Sequence, residues 1–176
     1  MNIFYLHKDP GVAAQQMCDK HVVKMILESA QRLCTTHHEC PTGVELPTKF
    51  YKKTHVNHPS AIWVRTNIKN YEWMTTHALA LCEEYTYRYG KVHASQAIIE
   101  WCSDNYPNIP LDPLTKIPQC MPDEYKTDDS IQSYRDYYWH DKRKNISMKW
   151  TKREKPRWWQ RAEAYEDTTH CQGVDK

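Results

Sequence analysis

Apolar residues recur at near-helical spacing along much of the chain. Val12, Val23, Ile26, Leu27, Ala30 and Leu33 set that period in the first forty residues. Asp9-Pro10 supplies a start signal, with Asp as cap and Pro in the first turn. The pattern predicts one helix over about 10–38. A second long helix is predicted from Asn57-His58-Pro59-Ser60, through Ile62, Trp63, Ile68, Tyr71, Trp73, Met74, Ala78, Leu81 and Cys82, to about Tyr89, with Gly90 as its stop. Shorter helices are expected at 93–104 and 129–139. Residues 39–57, with Pro41, Gly43 and Pro47, read as a loop. Residues 105–125 carry Pro107, Pro110, Pro113, Pro118 and Pro122 and read as an irregular, semi-rigid connection. Residues 2–6 suit a short strand or an extended arm, and no alternating run is long enough for a sheet core. The expectation is a mainly α fold: one compact domain of four to five helices over 1–165, then a polar, loosely held tail at 166–176.

Composition narrows this picture. A chain of 176 residues suits a single core. No run of about 18 apolar residues is present, and the opening MNIFYLHKDP is too short and polar for a signal peptide. Seven cysteines at irregular spacing, with no CxxC pair, suggest reduced thiols and a cytoplasmic setting. The net charge of +2 is unevenly placed: ten Lys/Arg against three Asp/Glu lie between Arg135 and Arg161, +7 there and −5 elsewhere. That asymmetry points to an anionic partner. Trp and Tyr number 7 and 12 against 2 Phe, a usage that suits wet interfaces and base stacking.

Candidate chemistry sits first in Asp19-Lys20-His21-Val22-Val23-Lys24-Met25-Ile26-Leu27-Glu28-Ser29-Ala30-Gln31. On a helix, Lys20, Lys24, Glu28 and Gln31 share one stripe, with His21 at its edge. Two amines, a carboxylate, an amide and an imidazole are the parts of an acid/base or Schiff-base site. They are equally the parts of a solvated, ion-paired face. Glu84–Arg88 has the spacing of a structural pair, while Glu83 and Tyr87 lie on a stripe that suits a cleft. The Cys and His spacings match no zinc signature, so no metal and no cofactor is expected; Cys18, His21 and His58 are the alternative ligand set. No Gly-rich phosphate loop and no GxSxG occurs. In the segment from Lys142 and Arg143 through Lys149, Trp150, Lys152, Arg153, Lys155, Arg157, Trp158 and Trp159, cations alternate with indoles. Such a segment suits phosphate contact with stacking surfaces.

These residues resemble the pyrimidine-dimer DNA glycosylase family, which includes the phage endonuclease V type enzymes and bacterial relatives. The resemblance rests on Asp19-Lys20-His21-Val22-Val23-Lys24 with Glu28 and Gln31, Asn57-His58-Pro59 leading to Trp63, Cys82-Glu83-Glu84 before Arg88-Tyr89-Gly90, Ser133-Tyr134-Arg135, and the basic Trp-rich end. It runs in order over about residues 1–160. It implies an all-α fold, a double-stranded DNA partner carrying a damaged or modified pyrimidine, base flipping, amine attack at C1′ and β-elimination, a monomer aside from the DNA, and no metal. It further implies roles for Lys20 or Lys24 as the amine, Glu28 as acid/base, His21 as an orienting group, and Asp19, Gln31, Asn57, His58, Glu83 and Tyr87 as contacts to the nucleotide. The phage enzymes use the α-amine of a small residue exposed by removal of Met. Residue 2 here is Asn, before which Met is usually retained, so Met1 is a third candidate amine. A base-modifying enzyme on the same scaffold and a non-catalytic DNA-binding protein are the alternatives.

Overall fold

The structure is a computed structural model and describes residues 2–171. Those residues form seven helices and no strand. They are α1 (Pro10–Gln16), α2 (Asp19–Glu39), α3 (Pro59–Thr66), α4 (Ile68–Tyr89), α5 (Gln96–Asp104), α6 (Ser130–Tyr137) and α7 (Arg157–Cys171). None is long and apolar enough to cross a membrane. The mainly α expectation holds, with more helices than the pattern suggested.

The difference arises at two breaks. The stretch expected as one helix over 10–38 is cut at Met17 and Cys18, both extended (ψ 140° and 160°). Cys18 then caps α2, its carbonyl accepting from His21 N and Val22 N. The second long helix is cut at Asn67, whose side chain accepts from Asn70 N at 2.9 Å and caps α4. Both breaks fall in apolar-periodic sequence, so periodicity runs straight through them. The terminal signals behave as expected. Asp9 accepts from Val12 N, Asp129 caps α6, and Gly90 (φ 66°) ends α4 in the left-handed conformation that glycine adopts without strain. Residues 2–6 form an irregular arm, neither helix nor strand, that turns at Phe4.

Helix α4 is the hub: α1, α2, α3 and α5 all pack on it, and α2 also meets α3 and α5. Helix α6 continues through a π-helical turn, Tyr138–Lys142, and a last α turn, Arg143–Asn145. It lies over the arm, where Phe4 meets Tyr134 and Tyr138 edge-on. The Trp and Tyr residues, expected at wet interfaces, largely fill the core. Tyr71, Tyr134 and Tyr138 are fully buried, as are nearly all of Trp150 and Trp159. Their polar ends are satisfied inside: Tyr71 O–H donates to the Cys102 carbonyl and Trp150 Nε1–H to the Gln16 carbonyl. A buried aromatic ring removes roughly 150–250 Å² from water, so these residues carry much of the hydrophobic stabilisation. Helix α7 continues through Cys171, past the boundary expected at 165.

Candidate active site

A cleft of about 680 Å³ opens between the arm, α2, the start of α3, the proline-rich connection and the π turn. From α2 it takes His21, Lys24, Met25 and Glu28: Lys24 and Glu28 of the expected Lys20–Lys24–Glu28–Gln31 stripe line it, with His21 and Met25 in place of Lys20 and Gln31. Asn2 and Phe4 come from the arm, His58 from the α3 start, and Lys126, Tyr137, Lys142 and Asn145 from the second half of the chain. A more apolar cavity of about 530 Å³, walled by Tyr5, Trp63 and Trp73, lies apart from this cluster.

Glu28 is the centre of the polar network. Its Oε2 accepts from Asn2 N–H at 3.1 Å and from the Arg32 guanidinium at 3.3 Å, and Lys24 Nζ lies 3.6 Å from Oε1. The Lys24–Glu28 ion pair therefore forms at the rim of the cleft, with Glu28 largely covered and Lys24 68% exposed. Arg32 is fully buried, and burial pushes it down to about 10. It also donates to the Asn2 carbonyl and, at 3.1 Å, to Ser60 Oγ. Asn2 is fixed further by its side-chain amide, which donates to the Cys120 carbonyl at 2.7 Å. Phe4 holds φ 57°, a region costly for a residue with a side chain. The chain tolerates it where the Phe4 ring stacks on His21, centroids 4.1 Å apart.

Both histidines of the cleft are held in their neutral forms. Burial, with Lys142 and Lys24 nearby, pushes His21 down to about 3, and its Nδ1 lies 2.5 Å from the Tyr138 hydroxyl. Burial also lowers His58, whose Nδ1 is 2.7 Å from Ser60 Oγ. Lys142 keeps its charge: burial opposes it, but bonds to Tyr137 and Asp141 win and raise its pKa. Its ammonium lies 4.3 Å from the centre of the Tyr137 ring.

The other expected site residues lie elsewhere. Lys20 and Asn57 are exposed and Gln31 is half-buried, and none of the three lines the cleft. Asp19 is structural: Thr151 N and Oγ1 and the Arg88 guanidinium all donate to it. Burial works to raise its carboxyl, but these donors outweigh burial and hold it below the usual range. Glu83 is exposed and away from the cleft. The Tyr87 hydroxyl donates to the Lys152 carbonyl, and Arg153 lies over its ring. Met1 lies outside the described residues.

The basic segment is divided in the same way. Trp150 and Trp159 are buried, and Trp158 Nε1–H donates to the Gln16 side chain, so these indoles pack the C-terminal segment against α1. Arg143 pairs with Glu166, Lys155 with Glu163 and Arg153 with Glu84, and Lys152 donates to the Tyr87 carbonyl. Lys149 and Arg157 are exposed. Among the described residues no three His, Cys, Asp or Glu side chains converge as metal ligands, the Cys18–His21–His58 set included.

Asn2, Phe4, Arg32, Ser60, Lys126 and Tyr138 are not among the site residues that the sequence alone singles out. Only Arg32 left a signal, its i,i+4 spacing from Glu28.

The pyrimidine dimer DNA glycosylase family model matches residues 1–97, which include the arm, α1 to α4 and every cleft residue up to Ser60. No curated protein and no solved structure matches the chain. The match covers more than half of the sequence and contains the Asn2–Glu28–Arg32 network: the chain belongs to the pyrimidine dimer DNA glycosylase family.

Proposed function

We propose that this protein removes a damaged or modified pyrimidine from double-stranded DNA by amine attack at C1′ and then cuts the resulting abasic site. The observation that carries this reading is Glu28, held in the cleft by Asn2 N–H with Lys24 beside it. An amine must attack as the free base, and a carboxylate within hydrogen-bond reach can take its proton and return it. Two amines lie beside this carboxylate. One is Lys24. The other is the N-terminal α-amine, on Met1 or, where Met1 is removed, on Asn2, whose nitrogen lies 3.1 Å from Glu28 Oε2. An α-amine has an ordinary pKa near 8, against about 10.4 for lysine, so it offers more free base at neutral pH. Attack at C1′ expels the base with its bonding electrons, and loss of a proton turns the adduct into a Schiff base as the sugar ring opens. Removal of a C2′ proton then breaks the C3′–O bond.

Lys142 and Lys126 at the cleft, with Lys149 and Arg157 outside it, supply positive charge for the phosphates. The test is borohydride trapping on abasic and dimer-containing duplexes, followed by peptide mapping of the adduct. A covalent adduct on Lys24 or on the N-terminal peptide is expected. DNA binding without any adduct, or a mass gain on the base with the strand intact, overturns the proposal.

A further inference from the structure

The two cleft histidines share one arrangement: each has its Nδ1 against a hydroxyl supplied by a different element. For His58 the direction of the bond follows from Arg32. A guanidinium only donates, and Arg32 Nε–H points at Ser60 Oγ at 3.1 Å. Ser60 is 1% exposed, and its own hydroxyl proton is left with His58 Nδ1, 2.7 Å away. Ser60 N–H also points at that nitrogen, at 3.2 Å. His58 Nδ1 therefore accepts, and the ring's proton sits on Nε2.

For His21 the partner is Tyr138, fully buried in the π turn. A π turn is a recurrent device for re-aiming a side chain at a functional site. A phenol is the better donor and an imidazole nitrogen the better acceptor, so the 2.5 Å contact runs from Tyr138 O–H to His21 Nδ1. The other neighbour of that hydroxyl, Cys18 Sγ, is 3.9 Å away and a weak acceptor. His21 is thereby also the Nε2–H tautomer, and Phe4 stacked on its face fixes the ring plane.

We propose that His21 and His58 act as a pair of neutral N–H donors to oxygen acceptors of the bound nucleotide, with Tyr138 and Ser60 as the positioning residues that set their tautomers. Pyrimidine carbonyls and the deoxyribose ring oxygen are such acceptors. A neutral imidazole N–H gives a hydrogen bond and no proton, so this pair orients the nucleotide while Glu28 moves protons. Donors pointed at carbonyl oxygens favour a lesion that keeps its carbonyls, as a pyrimidine dimer does. The donor role rests on the proposed glycosylase function; the tautomers do not.

Long-range proton–nitrogen correlation spectra of the ¹⁵N-labelled full chain test both parts. At neutral pH both rings show a bare Nδ1 and a protonated Nε2. Saturation of the full-length Glu28→Gln chain, slowed in turnover, with a dimer-containing duplex shifts both Nε2–H signals. A protonated Nδ1 on either ring overturns the tautomer assignment, with or without DNA activity. Unmoved Nε2–H signals in a saturated complex overturn the donor role. Tyr138→Phe releases the His21 tautomer and lowers kcat on dimer-containing DNA by at least about tenfold, whereas Ser60→Ala removes one of the two donors to His58 Nδ1, keeps the backbone N–H, and lowers kcat less. His58→Gln, which keeps a donor at the Nε2 position, retains more turnover than His58→Leu. Equal turnover of the Gln and Leu variants also counts against the donor role. Absence of wild-type cleavage and trapping defeats the function proposal alone and leaves the tautomer result standing.

Discussion

Glu28 concentrates the chemistry of the cleft because three groups hold one carboxylate: the Asn2 backbone, Arg32 and Lys24. Replacing it by Gln keeps the shape and removes the base. Glu28→Gln is expected to lower turnover at least about a hundredfold, the usual scale for a general acid/base, while DNA affinity changes little; the melting temperature falls as well, because the buried Arg32 guanidinium loses its carboxylate partner. Single-turnover cleavage beside an equilibrium binding titration checks this; equal losses in binding and turnover make Glu28 an ordinary anchor. Arg32 has a different duty. It is fully buried, ties the arm to α2 and α3, and leaves its Nη1 without a partner among the described residues. Removing it strips the Asn2 carbonyl and Ser60 of a donor at once. Arg32→Ala is expected to destabilise the fold by about 3–5 kcal/mol, the range for breaking a buried ion pair. Urea unfolding measures it, and a loss under about 1 kcal/mol makes the strut dispensable.

At the scale of elements, the C-terminal segment is clamped onto the helical core by a charge network. Glu84, almost fully buried, holds Arg88 at 2.7 Å and Arg153 at 2.9 Å, and Arg88 also reaches Asp19. Glu84→Ala leaves the buried Arg88 guanidinium with less compensation and frees Arg153. A loss of about 3 kcal/mol is expected, which lowers Tm by roughly 6–12 °C in a chain of this size. Calorimetry checks it, and an unchanged Tm makes the clamp passive. Within α4 the Glu84–Arg88 pair was legible, because a helix places such residues together wherever it packs. The Glu84–Arg153 contact was not, since it depends on how two distant segments meet. The same boundary runs through the site. His21, Lys24 and Glu28 were legible because α2 alone puts them on one face. Asp19 and Tyr87 were read as site groups because the contacts that occupy them, Thr151 and Lys152, lie far along the chain. Asn2 was hidden because an arm of five residues has no periodicity from which to read its position. Trp150 and Trp159 look in sequence like surface stacking groups. Only the tertiary fold shows that the indoles turn inward between cations that turn outward.

At the scale of the whole molecule, buried histidines make stability depend on pH. His21 is pushed down to about 3, and His37 and His77 to about 4, in each case chiefly by burial. His37 is bonded to Tyr71, and His77 to the Pro10 carbonyl. In the unfolded chain each ring takes a proton near pH 6.5. Between about pH 6.5 and pH 4 the unfolded chain therefore binds more protons than the folded one, so acid favours unfolding. A folded pKa depressed below the unfolded one gives stability that is present at neutral pH and lost as pH falls through this window. The slope is up to roughly 1.4 kcal/mol per pH unit for each fully buried ring. Asp19, held below its usual range by its donors, gives up its stabilisation only at lower pH. Urea midpoints at about pH 7.5, 6 and 5 should fall steadily, with most of the loss below 6. A His77→Phe variant separates the histidine contribution from general acid sensitivity. Whatever its absolute stability, its midpoint declines less steeply over this window than that of the unaltered chain, because one proton-binding difference is gone. Parallel declines in the two proteins would place the acid sensitivity in groups other than the buried imidazoles.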